Sequence, residues 1–233
     1  MNPTIPKQIN PFALACLEAL QKSGLGNHVS LGGALGLTLY HEFRSTKDVD
    51  AWWTSEATAK EQKEVIEVLR KTLEKFGEVK LRRFGDVVSL DLYEKEQVCF
   101  NFQIANRSVQ LRPPLLSPWA PVKLDTFEDL VASKMAALIE RGIPRDFLDI
   151  YEICNQKLCT TWQCWRLWLD REAKRGVQHA DLMPAAAAVL MHLNRIEKTR
   201  PLNLIKDQEA REKATELREW FKNVFTKEIQ KLD

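Results

Sequence analysis

Two carboxylates stand two residues apart in Asp48-Val49-Asp50, fourteen residues after the glycine pair Gly32-Gly33. On a strand, side chains two apart share a face, so both carboxylates can converge on one cation. A glycine lets a phosphate approach the backbone at the start of a helix. These residue types together point to metal-assisted phosphoryl or nucleotidyl transfer, with magnesium or manganese held by Asp48 and Asp50. Gly32 and Gly33 are candidate phosphate contacts. Arg44, Ser45, Thr46 and Lys47, just before the acidic pair, are further candidates, with a solvated loop as the plain alternative. An acidic pair of this spacing also occurs as solvated turn residues. The glycine pair upstream and apolar Val49 favour a site.

A third carboxylate often deprotonates the attacking hydroxyl or holds a second metal. Matching Leu90 and Leu92 with Phe100 and Phe102 in the two alternating stretches that follow places Asp91 beside Asn101 on the polar face. Only Asp91 is acidic and a candidate catalytic group; Asn101 offers an amide oxygen to a cation but no base. A second cluster runs Lys134, Arg141, Arg145, Asp146 and Asp149. Lys134 and Arg141 share a helix face with Leu130, Val131 and Leu138, so Lys134 must snorkel outward or enter a polar cleft. Lys134 is expected to contact a triphosphate, with Arg141 and Arg145 as further nucleotide contacts. For Arg145 and Asp149 an interhelical ion-pair network is the alternative.

The elements that must position these groups follow from periodicity and punctuation. Asn10-Pro11 starts a helix that Gly24 and Gly26 end. A strand at Val29–Leu31, a glycine turn, a helix and the Asp48–Asp50 strand come next. A charged amphipathic helix is expected over 56–76, then strands over 78–82, 86–93 and 98–104 with period-two alternation. The proline-rich stretch from Arg112 to Pro121 reads as a connection between two parts, after which everything is expected to be helical. Asp125 is expected to cap a helix reaching Arg141, with Gly142 as its stop. Further helices are expected from Pro144, Thr161, Pro184 and Asp207, the last running to about Lys231. The expected fold class is therefore α+β. A mixed sheet flanked by helices occupies residues 1–115, and an all-helical domain closing the active-site cleft occupies 116–233.

With 233 residues, 45% hydrophobic and 28% charged, the chain suits one large or two small globular domains. A net charge of +2 gives no bulk argument for nucleic-acid or membrane binding. Its five cysteines follow no zinc spacing and are expected as buried thiols, with Cys154, Cys159 and Cys164 spread around a helix axis. Trp162, Trp165 and Trp168 are expected to pack in the core, with base stacking as the exotic alternative. The N-terminus shows no signal-peptide core and no apolar run is long enough to span a bilayer, so a cytoplasmic protein with no membrane partner is expected.

Two stretches carry a resemblance: Gly32-Gly33-Ala34-Leu35 leading to Arg44-Ser45-Thr46-Lys47-Asp48-Val49-Asp50, and Asp129-Leu130 through Lys134 and Arg141-Gly142 to Pro144-Arg145-Asp146-Phe147-Leu148-Asp149. In these the chain resembles the AbiEii/AbiGii-type nucleotidyltransferase toxins, a branch of the DNA polymerase β-like nucleotidyltransferase superfamily. The resemblance covers roughly residues 25–155. It implies phosphate contact by Gly33, magnesium on Asp48 and Asp50, triphosphate on Lys134, and a catalytic acidic role for Asp146. It also implies an NTP substrate, an RNA (possibly tRNA) or protein acceptor, and a cognate antitoxin as partner. Similar sequences commonly carry aspartate where Asn101 stands. That departure motivates a second reading, a catalytically degenerate fold that binds a nucleotide or a partner. A glycosyltransferase using Asp-x-Asp ranks below both, because it explains neither the glycine pair nor the Lys134 helix.

Overall fold

The computed structural model describes residues 2–231. Its strands are β1 (Val29–Leu31), β2 (Asp48–Trp53), β3 (Glu78–Phe84), β4 (Val87–Glu94), β5 (Gln97–Ala105), β6 (Leu115–Leu116) and β7 (Lys123–Leu124). Its helices are α1 (Pro11–Ser23), α2 (Gly33–Tyr40), α3 (Ala59–Leu73), α4 (Phe127–Glu140), α5 (Pro144–Asn155), α6 (Thr161–Lys174), α7 (Leu182–Thr199) and α8 (Gln208–Trp220). The class is α+β. The chain separates into two compact units, one ending at Leu130 and one beginning at Val131.

In the first unit the strands form one mixed sheet in the order β3-β4-β5-β2-β1-β7-β6. Alternation gives it two chemically different faces. Val49 and Ala51 of β2 stand in register with Phe102 and Ile104 of β5, and Leu90 and Leu92 of β4 with Phe102 and Phe100. This apolar face joins Leu17 and Leu20 of α1 and Val65, Leu69 and Leu73 of α3 in one core, each fully buried. Burying such side chains stabilises by about 1.5–3 kcal/mol each. The opposite face carries the polar residues of the same strands, which is where chemistry can be placed.

The ends of the helices follow their caps. Asn10 accepts the Phe12 N–H at 2.9 Å and opens α1, and Gly24 closes it in the left-handed conformation with φ 73°. Thr58 and Glu61 form a reciprocal capping box at the start of α3.

Several expectations need correction. The stretch after Arg112 is not purely helical: it returns to the sheet as β6 and β7, with β7 parallel to β1. The compact units accordingly divide at Leu130/Val131, inside α4, and not at 115/116. Asp125 does not cap α4. Its N–H continues the sheet by donating to Leu31 O at 2.9 Å. Thr126 takes the capping role, accepting the Asp129 N–H at 3.2 Å while its hydroxyl donates to Asp129 at 2.8 Å. The expected last helix breaks after Trp220 into a π turn over Phe221–Phe225 and a 3-10 turn over Glu228–Lys231.

The second unit is helical. Phe147, Trp165, Phe221 and Phe225 are fully buried in it. Phe147 meets Phe221 edge-on at 4.7 Å between centroids, and Trp165 donates its indole N–H to Phe225 O at 3.1 Å. Trp168 is buried as expected. Trp162 is not: it lies 41% exposed beneath Arg166, because a three-residue step falls short of a helical turn and drifts off the buried face. Cys154, Cys159 and Cys164 gather, contrary to expectation, since they sit on the end of α5, the connecting loop and α6. Cys154 and Cys164 sulfurs are 3.6 Å apart, and the two neighbouring thiols together with burial hold the Cys164 thiol well above its ordinary pKa. No helix among the described residues is long and apolar enough to cross a membrane.

Candidate active site

Asp48, Asp50 and Trp52 alternate with buried Val49, Ala51 and Trp53 along β2, so both carboxylates lie half-buried on the polar face. Register extends this face sideways. Asp48 stands opposite Asn101 of β5, and Asn101 opposite Asp91 of β4. Asp50 stands likewise opposite Gln103, and Gln103 opposite Ser89. The expected pairing of Asp91 with Asn101 is present, and Asp48 completes a row of three side chains across three strands.

Gly32 and Gly33 turn the chain from β1 into α2 at the edge of this face. Gly32 N–H donates to Asp50 O at 2.8 Å, binding the turn to β2. Gly33 adopts φ +56°, and a Cβ there would collide with the Asp50 carboxylate. A Cβ on Gly32 would collide with the Trp52 indole nitrogen. The pair is therefore required both by backbone conformation and by the closeness of β2. Gly36, one turn into α2, is required for packing: a Cβ would stand 2.8 Å from Leu130 Cδ2.

Asp91 is fully buried and heavily committed. Its Oδ1 accepts from Ser89 Oγ at 2.8 Å and from Asn101 Nδ2, and the Arg82 guanidinium meets its Oδ2 as an ion pair without hydrogen-bond alignment. Asn101 Nδ2 also donates to Ser89 Oγ at 2.6 Å. Among the other expected phosphate contacts, Arg44 is half-buried beside Phe43, with its guanidinium 5.8 Å from that ring, and Ser45 is exposed. Thr46 accepts the Asp48 N–H at 3.3 Å and so fixes the entry to β2.

A cluster that the sequence did not announce lies on the same face beside Trp52. Asp125, 1% exposed, accepts from Ser30 Oγ at 2.8 Å, from Trp52 Nε1 at 3.1 Å and from Arg107. Arg107 also lies over the Trp52 ring at 5.4 Å. Burial pushes the Asp125 carboxyl up to about 6, against the opposing pull of Arg107 and the Ser30 hydroxyl. Asp129 fastens the same region by accepting Leu111 N–H at 2.6 Å and Arg112 N–H at 2.9 Å. Long sequence separations hid this cluster; only the placement of Ser30 and Trp52 at polar-face positions hinted at it.

In the helical unit, Lys134 is buried and its Nζ lies 2.6 Å from Asp149 Oδ2. Arg141 makes a bidentate pair with Asp146, both contacts at 2.9 Å. Asp146 further accepts the Ile143 N–H at 3.2 Å at the start of α5. Arg145 is exposed in the first turn of α5. The structure thus ties Lys134 to Asp149 and Arg141 to Asp146, each within this unit.

Among the described residues no group of three or more His, Cys, Asp or Glu side chains is placed to hold a metal. Two carboxylates on one strand face are nevertheless a donor set that suits magnesium. That ion retains several waters and takes one or two protein carboxylates plus substrate phosphates. The glycine backbone packed against Asp50 leaves the carboxylate bordered by main chain alone on that side.

The family model described as "Nucleotidyl transferase AbiEii toxin, Type IV TA system" matches residues 15–231. No curated protein sequence matches the chain. Among solved structures, an H. pylori protein described as a candidate nucleotidyltransferase is similar with a TM-score of 0.55 at 15% identity, covering 95% of each chain. JHP933 from Helicobacter pylori aligns with a TM-score of 0.49 at 14% identity, covering 95% of this chain and 93% of that one. At such identities the likeness concerns the fold.

Proposed function

Because the chain belongs to the AbiEii nucleotidyltransferase toxin family, we propose that it transfers a nucleoside monophosphate from an NTP to an RNA or protein acceptor, with tRNA as one candidate acceptor. The observation that carries this reading is the union of Asp48, Asp50 and the Gly32-Gly33 turn on one polar sheet face. Asp48 and Asp50 hold magnesium or manganese; when bound, the ion neutralises triphosphate charge and orients the α-phosphate for in-line attack. Gly33 lets a phosphate approach the main chain at the start of α2. Arg44 and Ser45, on the loop that enters β2, serve the same triphosphate.

Lys134, Arg141 and Arg145 are assigned to the triphosphate on the family resemblance. Lys134 would exchange or share Asp149 to do so, and Asp149 holds its ammonium ready in a charged state. Asp146 orients Arg141 through its bidentate pair. Asp91, tied to Arg82, Ser89 and Asn101, is a poor candidate for the base. A cognate antitoxin is the partner that the family's toxin–antitoxin character suggests, and the cytoplasm is the compartment that suits these substrates.

The test is incubation with α-labelled NTPs and total RNA, comparing wild type with Asp48→Ala/Asp50→Ala. Label on RNA or protein that the double substitution abolishes supports the reading; label that survives it counts against the mechanism. Asn101 favours one second reading, a fold that binds NTP without transfer, because an amide cannot take a proton from the acceptor at neutral pH. Calorimetry showing NTP binding without turnover would select it.

A further inference from the structure

We infer that Asn101 supplies the divalent cation with a third, uncharged oxygen ligand, and that Asp91 is the residue that positions it. This rests on the proposal that Asp48 and Asp50 bind the metal. Asn101 is 8% exposed and sits between Asp91 on one neighbouring strand and Asp48 on the other. An amide can turn either end toward a neighbour, so its orientation must come from the partners. Here the partners decide it. A carboxylate paired with a guanidinium can only accept, and Asp91 carries Arg82 on Oδ2. The group facing Asp91 must therefore be the amide nitrogen, which donates to Asp91 Oδ1 and to Ser89 Oγ.

Both partners of that nitrogen lie on β4, so Oδ1 is left for the β2 side, where Asp48 stands in register. Among the described residues no hydrogen bond ends on Asn101 Oδ1. A nearly buried amide oxygen without a donor, beside a carboxylate pair, is what a hard cation accepts. The arrangement also gives Asp91 a defined task. It neither takes the acceptor's proton nor binds the cation; through Arg82 it stays a pure acceptor and prevents the amide from flipping. Such supporting groups typically change metal affinity by about 10- to 100-fold.

Mn2+ titrations followed by electron paramagnetic resonance test this on the full chain. Asp48→Ala/Asp50→Ala should abolish binding; if it binds Mn2+ as wild type does, the metal reading itself fails. Asn101→Leu, which keeps the bulk and removes the oxygen, should weaken Mn2+ binding by about tenfold. Wild-type affinity in Asn101→Leu, with binding lost in the double alanine variant, overturns the present inference and leaves the metal reading standing. For the positioning role, Asp91→Asn should weaken Mn2+ binding in the Asn101 background and have little effect in an Asn101→Asp background, where either carboxylate oxygen can coordinate. Equal weakening in both backgrounds would reduce Asp91 to a structural group. Should Asn101→Leu fail to fold, Mg2+ titration of the wild type decides the point by 15N NMR: the Asn101 side-chain amide must shift on saturation, and an unmoved resonance overturns the assignment.

Discussion

Gly33 and Asp50 occupy adjoining space so closely that any β-carbon on Gly33 would coincide with the Asp50 carboxylate. The strand that presents the acidic pair and the turn that opens α2 are thereby fixed against each other, with Gly32 N–H donating to Asp50 O at 2.8 Å.

Gly33→Ala should therefore damage the fold and the site together. The left-handed conformation at φ +56° alone costs a non-glycine residue roughly 1–3 kcal/mol, before any displacement of Asp50. Chemical denaturation should show a loss of at least that size, and Mn2+ affinity should fall in the fraction that remains folded. Retention of both would mean that the turn has freedom that its geometry denies.

Asp125 predicts a pH dependence of stability. Its folded-state value of about 6 lies above the ordinary 3.8, because burial penalises the charged carboxylate. Protonation therefore favours the folded chain. The contribution is complete below about pH 4 and is lost as pH rises to about 6 and beyond, amounting to about 3 kcal/mol. Urea denaturation of wild type minus Asp125→Asn should show this slope across that window and a flat difference above about pH 7. A difference independent of pH would place the carboxyl in a far wetter setting.

Lys134 and Asp149 make a buried pair at 2.6 Å, so removing either charge should cost roughly 3 kcal/mol. The double variant Lys134→Met/Asp149→Leu should be less destabilised than the two single changes summed. A Lys134 that pointed to solvent would give single-variant losses near zero. Separate measurement of NTP affinity distinguishes the triphosphate role from this structural one: Lys134→Arg should retain much of the stability and still alter nucleotide binding.

Much of the sheet was legible because β4 and β5 alternate strictly, and a period of two fixes which side chains share a face. The same rule paired Asp91 with Asn101 correctly from Leu90, Leu92, Phe100 and Phe102. Two-residue strands carry no period, so Leu115–Leu116 and Lys123–Leu124 were invisible within a proline-rich stretch. Asp125 looked like a helix cap because Asp is a good cap; its sheet-like bond to Leu31 O moved that role to Thr126. Arg82 and Arg107 were missed for a different reason. Their importance comes from carboxylates nine or more residues away, Asp91 and Asp125, which only the assembled strands bring to them. The cysteines gathered because a loop, not one helix, carries them past each other.

The most direct test follows which phosphate of the NTP moves. Parallel reactions with α-labelled and γ-labelled NTPs, each with total RNA and protein acceptors, separate nucleotidyl from phosphoryl transfer. The account predicts α label on the acceptor, γ label released as pyrophosphate, and loss of both on metal chelation or in Asp48→Ala/Asp50→Ala. Stable γ label on the acceptor, or α transfer that persists in the double variant, would contradict it.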